Sequence, residues 1–154
     1  MDLKDIKAMP RNFTATKFKN LVLQSGIVKP SQEFASTADH FKVNQFKNKN
    51  LNDGYRAEVA VIRLLRQRNW VLECQRVRTT IAEIDLIFSK GHDVMLIEVK
   101  RLDDPWRAFE RIGHLQVQAL KKNLFFLSVN LKMYSFCAAV CWVDDQNRVS
   151  FVRI

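Results

Sequence analysis

The chain has 154 residues, 47% of them hydrophobic, enough for one folded domain with a sizeable core and too apolar for a disordered chain. Lysine and arginine number 25 against 16 acidic residues, a net charge of +9 with a pI near 9.7, which favours a polyanionic partner such as DNA, RNA or an acidic membrane surface. No stretch approaches the roughly 18 consecutive apolar residues of a membrane span, and the N-terminus lacks the apolar core and cleavage site of a secretory signal.

Residues 1–53 are polar and Lys-rich, with nine basic and five acidic residues. They read as a basic N-terminal extension. The spacing of Phe18, Leu21 and Val22 predicts a short helix over 16–24, stopped by Gly26. Lys29-Pro30-Ser31 reads as a linker. Phe34, Phe41 and Phe46 then alternate with Lys42, Lys47 and Lys49. Such interleaving suits a loosely docked arm, or an arm that tracks a single nucleic-acid strand.

Residues 54–154 form the second unit. Asp53 is placed to cap a helix running to about residue 68, with Glu58, Val61, Ile62 and Leu65 on one face. Strands are predicted over 70–77, 81–88 and 94–100, the last two joined by a hairpin at Gly91. A charged loop around Pro105 leads to a helix starting at 109 or 112 and ending near 129. Ile112, Leu115, Gln116, Ala119, Leu120 and Leu127 are expected to form its inner stripe. The apolar run 134–143 reads as a central strand, and 149–154 as a last one after a hairpin at 144–147. The order is αβββαββ.

Cys74, Cys137 and Cys141 lie in apolar contexts without metal-ligand spacing. They are expected to be core thiols of a cytoplasmic protein. His40, His92 and His114 are scattered, which argues against zinc.

Two strands carry charge inside apolar runs, Ile84-Asp85-Leu86-Ile87-Phe88 and Leu96-Ile97-Glu98-Val99-Lys100. A buried charge is costly unless it is paired or bound to metal. Strand residues two apart share a face, so Glu83 goes with Asp85, and Glu98 with Lys100. A short hairpin between the strands would bring Asp85 beside Glu98, and the preceding helix would add Glu58. Gathered carboxylates repel one another unless a hard cation joins them. Mg²⁺ or Mn²⁺, held by one or two carboxylates plus water and phosphate, suits this set. Bland alternatives stand beside it. Glu58 could face solvent, Glu83 could pair with Arg76 or Arg78, and Asp85 and Glu98 could form ordinary salt bridges.

Gly54-Tyr55-Arg56-Ala57-Glu58, Ala82-Glu83-Ile84-Asp85-Leu86-Ile87 and Leu96-Ile97-Glu98-Val99-Lys100-Arg101, in that order, resemble the PD-(D/E)XK nuclease superfamily, specifically its YraN-like branch, which is similar to Holliday junction resolvases. The resemblance implies an α/β, restriction-endonuclease-like αβββαβ core with a central mixed sheet and flanking helices. It implies a Mg²⁺- or Mn²⁺-dependent endonuclease acting on nucleic-acid phosphodiesters, with DNA as the expected substrate and branched or structured DNA as one form of it; the branch implies the fold more firmly than a substrate. The alternative is a catalytically weak nucleic-acid-binding module on the same fold. Asp85, Glu98 and Glu83 match metal-binding positions, and Lys100 and Glu58 catalytic ones. Gln116 fits the superfamily's helix glutamine best, with Gln118 as the fallback. Arg101, Trp106, Arg107, Arg111, Lys121 and Lys122 follow the site and are candidates for nucleic-acid contact. Cleavage of a symmetric junction would call for a homodimer. The N-terminal extension and Ala82, where a glycine is usual, depart from the pattern.

Overall fold

A computed structural model describes residues 49–102 and 113–154. The elements run α1 (Lys49–Gln67), β1 (Val71–Arg78), β2 (Glu83–Lys90), β3 (Asp93–Arg101), α2 (His114–Asn130), β4 (Ser135–Val143) and β5 (Val149–Arg153). The predicted helix at 16–24, the Phe/Lys arm through Lys47, the loop around Pro105 and Ile112 of the predicted inner stripe lie outside the described residues, and Lys49 begins α1.

The strands form one mixed sheet in the order β1-β2-β3-β4-β5. All neighbours are antiparallel except β3 and β4, which run parallel. That reversal needs a long crossover, and α2 lies within it. The β2–β3 hairpin is tight, with Lys90 opposite Asp93 and only Gly91 and His92 between. Gly91 has φ +62° there, a conformation glycine adopts without steric penalty. This restriction-endonuclease-like α/β core is the architecture expected from the sequence.

Each face of the sheet has its own apolar layer. Ala57, Val61, Ile62 and Leu65 of α1 pack with Leu86, Phe88, Ile97 and Cys141. Leu120 and Leu127 of α2 pack with Ile87, Val94, Leu96 and Ala138. Sequence neighbours Leu86 and Ile87, and likewise Ile97 and Leu96, go to different layers. The two helices therefore cover opposite faces. Burial on both sides explains the nearly unbroken apolar runs in β2 and β4.

Three sequence expectations need correction. α1 begins at Lys49, so Asp53 is within the helix and does not cap it. α2 begins at His114, with Gly113 at its N-cap position and no side chain capping it. Leu115 does not join the inner stripe and is 78% exposed. Five residues at about 100° each put it some 140° from Leu120, on another face. The inner face of α2 is formed by Leu120, Asn123 and Leu127.

Cys74 and Cys141 are buried and Cys137 partly so, all three as free thiols. Trp142 is buried and Trp70 half-buried. Among the described residues, no helix is long and apolar enough to cross a membrane.

The face assignment of α2 has a direct check. Leu127→Ala should lower stability by about 2–5 kcal/mol, because it opens a cavity in a filled layer. Leu115→Ala should change it by less than about 0.5 kcal/mol. Chemical denaturation of both variants measures the contrast.

Candidate active site

The acids inside the strands meet at one place. Glu58, Glu83, Asp85, Glu98, Lys100 and Gln116 all line a single cavity of about 340 Å³. α1 contributes Gly54 and Glu58, β2 contributes Glu83 and Asp85, β3 contributes Glu98 to Lys100, and α2 contributes Gln116, Ala119 and Leu120.

Strand register explains the meeting. The β2–β3 ladder pairs Leu86 with Ile97 and Ile87 with Leu96. One step further along, Asp85 comes opposite Glu98. There the Asp85 carboxylate takes over from the ladder, and Val99 N–H donates to its Oδ2 at 2.7 Å. On β4, Val140 is opposite Glu98 and Trp142 opposite Lys100. Both charged side chains therefore rise from the same face of β3 beside large apolar neighbours. Lys100 Nζ donates to Glu98 Oε1 at 2.6 Å.

Glu58 is buried at the inner edge of α1. Arg76 donates to its Oε1 through Nε at 3.2 Å and Nη2 at 2.9 Å. Arg76 is a site residue that sequence reasoning weighed only as a partner for Glu83. The signal was available, since an inward-facing Glu58 needs a cation nearby. Arg76 has φ +50° inside β1, and Leu72 and Cys74 flank a register shift, so side-chain alternation fails along this strand. The residues flanking Arg76 pair with those flanking Asp85, which sets Arg76 opposite Asp85 as well.

Glu83 sits at the exposed rim, where Arg78 Nε donates to its Oε2 at 2.9 Å. Of its two sequence alternatives, the pairing with Arg78 is the one present. Both glutamines are exposed, but Gln116 lines the cavity, whereas Gln118 does not and lies 3.3 Å from His114 Nε2. The helical frame that favoured Gln116 holds, because 116, 119, 120 and 123 share a face. The Thr79 corner ties the entry of β2 to α2. Its Oγ1 accepts from Ala82 N–H at 3.0 Å and lies 2.7 Å from Asn123 Oδ1.

Among the candidates for nucleic-acid contact, Lys121 and Lys122 are exposed on α2. Arg101 turns away from the acid cavity into a different groove. Trp106, Arg107 and Arg111 lie outside the described residues.

Electrostatics single out Asp85. Burial raises its pKa from 3.8 to about 7, and the neighbouring Glu98 and Glu58 charges push the same way. The Val99 N–H and the Lys100 ammonium oppose that shift without cancelling it. Burial also raises Glu58, against the Arg76 hydrogen bond and charge. Asp85 and Glu98 are thus the adjacent carboxylate pair able to share a cation. Among the described residues, no three His, Cys, Asp or Glu side chains form a metal-binding group.

The raised pKa makes a stability prediction. Asp85 keeps its proton in the folded state up to about pH 7, whereas the unfolded chain releases it near 3.8. The folded state therefore binds more protons between those values, and its stability falls as pH rises through them. Asp85→Asn removes this loss. Thermal scans in a chelating buffer should show the variant gaining on wild type between about pH 4 and about pH 7, and levelling off above that.

Comparison with known proteins adds the relationship. The model of the uncharacterised protein family UPF0102 matches residues 57–144. A UPF0102 protein of Roseobacter denitrificans is 40% identical over 73 residues, 47% of this chain and 53% of the relative. Another, from Ruegeria pomeroyi, is 39% identical over 67 residues, 44% of this chain and 54% of the relative. The chain spans about half the length of these curated relatives. The match covers every strand but the last, together with Glu58, Asp85, Glu98, Lys100 and Gln116. The chain belongs to UPF0102, the YraN-like family of PD-(D/E)XK nuclease-like proteins.

Proposed function

We propose that this protein is a divalent-metal-dependent endonuclease that hydrolyses phosphodiester bonds of nucleic acid, with DNA, branched or otherwise structured DNA included, as its substrate. The observation that carries the reading is the convergence of Asp85, Glu98, Lys100, Glu58 and Gln116 on one cavity. Two adjacent hard carboxylates, one of them poorly stabilised as an anion by its surroundings, fit a cation that keeps most of its water. That favours Mg²⁺ or Mn²⁺ over zinc, which demands a fuller set of protein ligands.

Asp85 and Glu98 would hold the cation. When bound, it supplies Lewis acidity toward a phosphate oxygen and makes water more acidic. Lys100 lies at the same wall, with its ammonium beside Glu98. There it orients the attacking water and offsets negative charge growing on the phosphate. Gln116 offers an amide from the opposite helix to the same space. Glu58, fixed by Arg76, accepts hydrogen bonds from water within the cavity. Glu83 serves the rim. Arg101, Lys121 and Lys122, with Trp106, Arg107 and Arg111, are the proposed contacts to the flanking backbone.

A second reading has its own support. Glu58, Glu83 and Glu98 each have a cationic side chain within 3 Å, an arrangement also suited to a binding module that does not cleave. That module would show salt-sensitive binding without product.

Nicking of plasmid and four-way-junction DNA with Mg²⁺ or Mn²⁺ decides between them. Wild type should cut, and Asp85→Ala and Lys100→Ala should each lose on the order of a hundredfold in rate. Equal activity in wild type and Asp85→Ala removes the proposal. Crystals soaked in Mn²⁺ should give an anomalous peak between Asp85 and Glu98.

A further inference from the structure

A second cavity, of about 700 Å³, lies between the outer side of α1 and the β4–β5 hairpin. Its walls carry five arginines, Arg56, Arg63, Arg68, Arg101 and Arg148, against one carboxylate, Asp145. Arg148 is held by Asp144 at 2.5 Å. Arg56, Arg63 and Arg68 are exposed, and among the described residues their guanidinium groups have no carboxylate partner. Like charges crowded along one groove repel, and a bound polyanion relieves that repulsion.

The spacing suits a phosphate chain. Arg56 and Arg63 are two helical turns apart, nearly in line and about 10.5 Å along the axis. A B-form strand carries one phosphate per roughly 3.4 Å of axis, so the pair spans about three. Arginine's planar fork can bind each phosphate through two hydrogen bonds. Between them, Val59 and Ala60 line the same cavity and offer no competing charge.

The two cavities flank one helix. On α1, Gly54 and Glu58 line the acid cavity, while Arg56 and Val59 line the basic one. On β3, Lys100 lines the first and the next residue, Arg101, the second. We propose that the arginine groove binds the phosphodiester backbone of a nucleic-acid strand, a flank of the substrate away from the scissile bond. This rests on the nucleic-acid reading above but not on hydrolysis.

The test is fluorescence anisotropy of a short labelled single-stranded DNA with the full chain in chelating buffer, titrated at several salt concentrations. Arg56→Gln/Arg63→Gln should weaken binding about tenfold and flatten the salt slope by about 1.4, the expectation for two lost single-strand phosphate contacts. Arg66→Gln/Arg153→Gln removes the same charge from exposed positions outside the groove and should leave both quantities near wild type. Binding in chelating buffer is read without cleavage, so wild type that binds through the groove yet never nicks DNA fails the nuclease reading alone, and the two failures give different results. Equal weakening in the two arginine pairs, or none in the first, overturns the proposal. So does displacement of the DNA by polyglutamate as effectively as by unlabelled DNA, which would assign the groove to an acidic protein.

Discussion

The hydrogen bond from Val99 N–H to Asp85 Oδ2 is the constraint around which the site is built. It stands where the regular pairing of β2 and β3 ends. A side-chain carboxylate there does the work that a main-chain carbonyl does elsewhere in the ladder. This keeps a buried amide satisfied, which a folded interior demands. It also keeps an acid in a place where ionisation is unfavourable, beside a second acid on the next strand. The cavity opens where the two strands would otherwise have continued to pair. Its negative character thus follows from how the sheet ends at that point.

Arrangement of opposite charge around that cavity is equally local. Arg76, Arg78 and Lys100 each reach an acid, and none of these cations comes from the outer groove. The net charge of +9 is therefore not a uniform field. An acidic, partly desolvated recess is enclosed by paired cations, and Arg56, Arg63 and Arg68, which have no carboxylate partner among the described residues, stand on the other side of α1. A polyanion attracted by the whole surface would meet the arginine groove as the broad basic feature and the acid cavity as the narrow exception. Attraction and chemistry are thereby assigned to different faces of the same helix.

Much of this was legible in the sequence, for reasons of period. Strands turn alternate residues to alternate faces, so Asp85, Glu98 and Lys100 could be placed together before any coordinates. Helical spacing placed Glu58 inward and chose Gln116 over Gln118. Arg76 was missed because its left-handed backbone breaks the alternation on which such reading depends. Leu115 has the apolar character of a core residue but not the angle, since five residues carry it well past the face of Leu120. The start of α1 at Lys49 escaped because Asp53 offers a good capping side chain that the longer helix does not use. The arginine groove was invisible for a different reason. It joins the outer side of α1 to a hairpin some eighty residues later, and only packing brings the two together.

Strand β3 lies at the centre of the sheet, and its last residues hand Lys100 to one cavity and Arg101 to the other. The pleat that separates them has a period of two. An insertion or deletion of one residue between Glu98 and Lys100 would exchange the two sides, taking the ammonium away from the acids and shifting the guanidinium toward them. Substitution can tune either surface by itself, but a change in length within this strand would rewrite both at once. That ties the evolution of the two surfaces to a single reading frame of side chains.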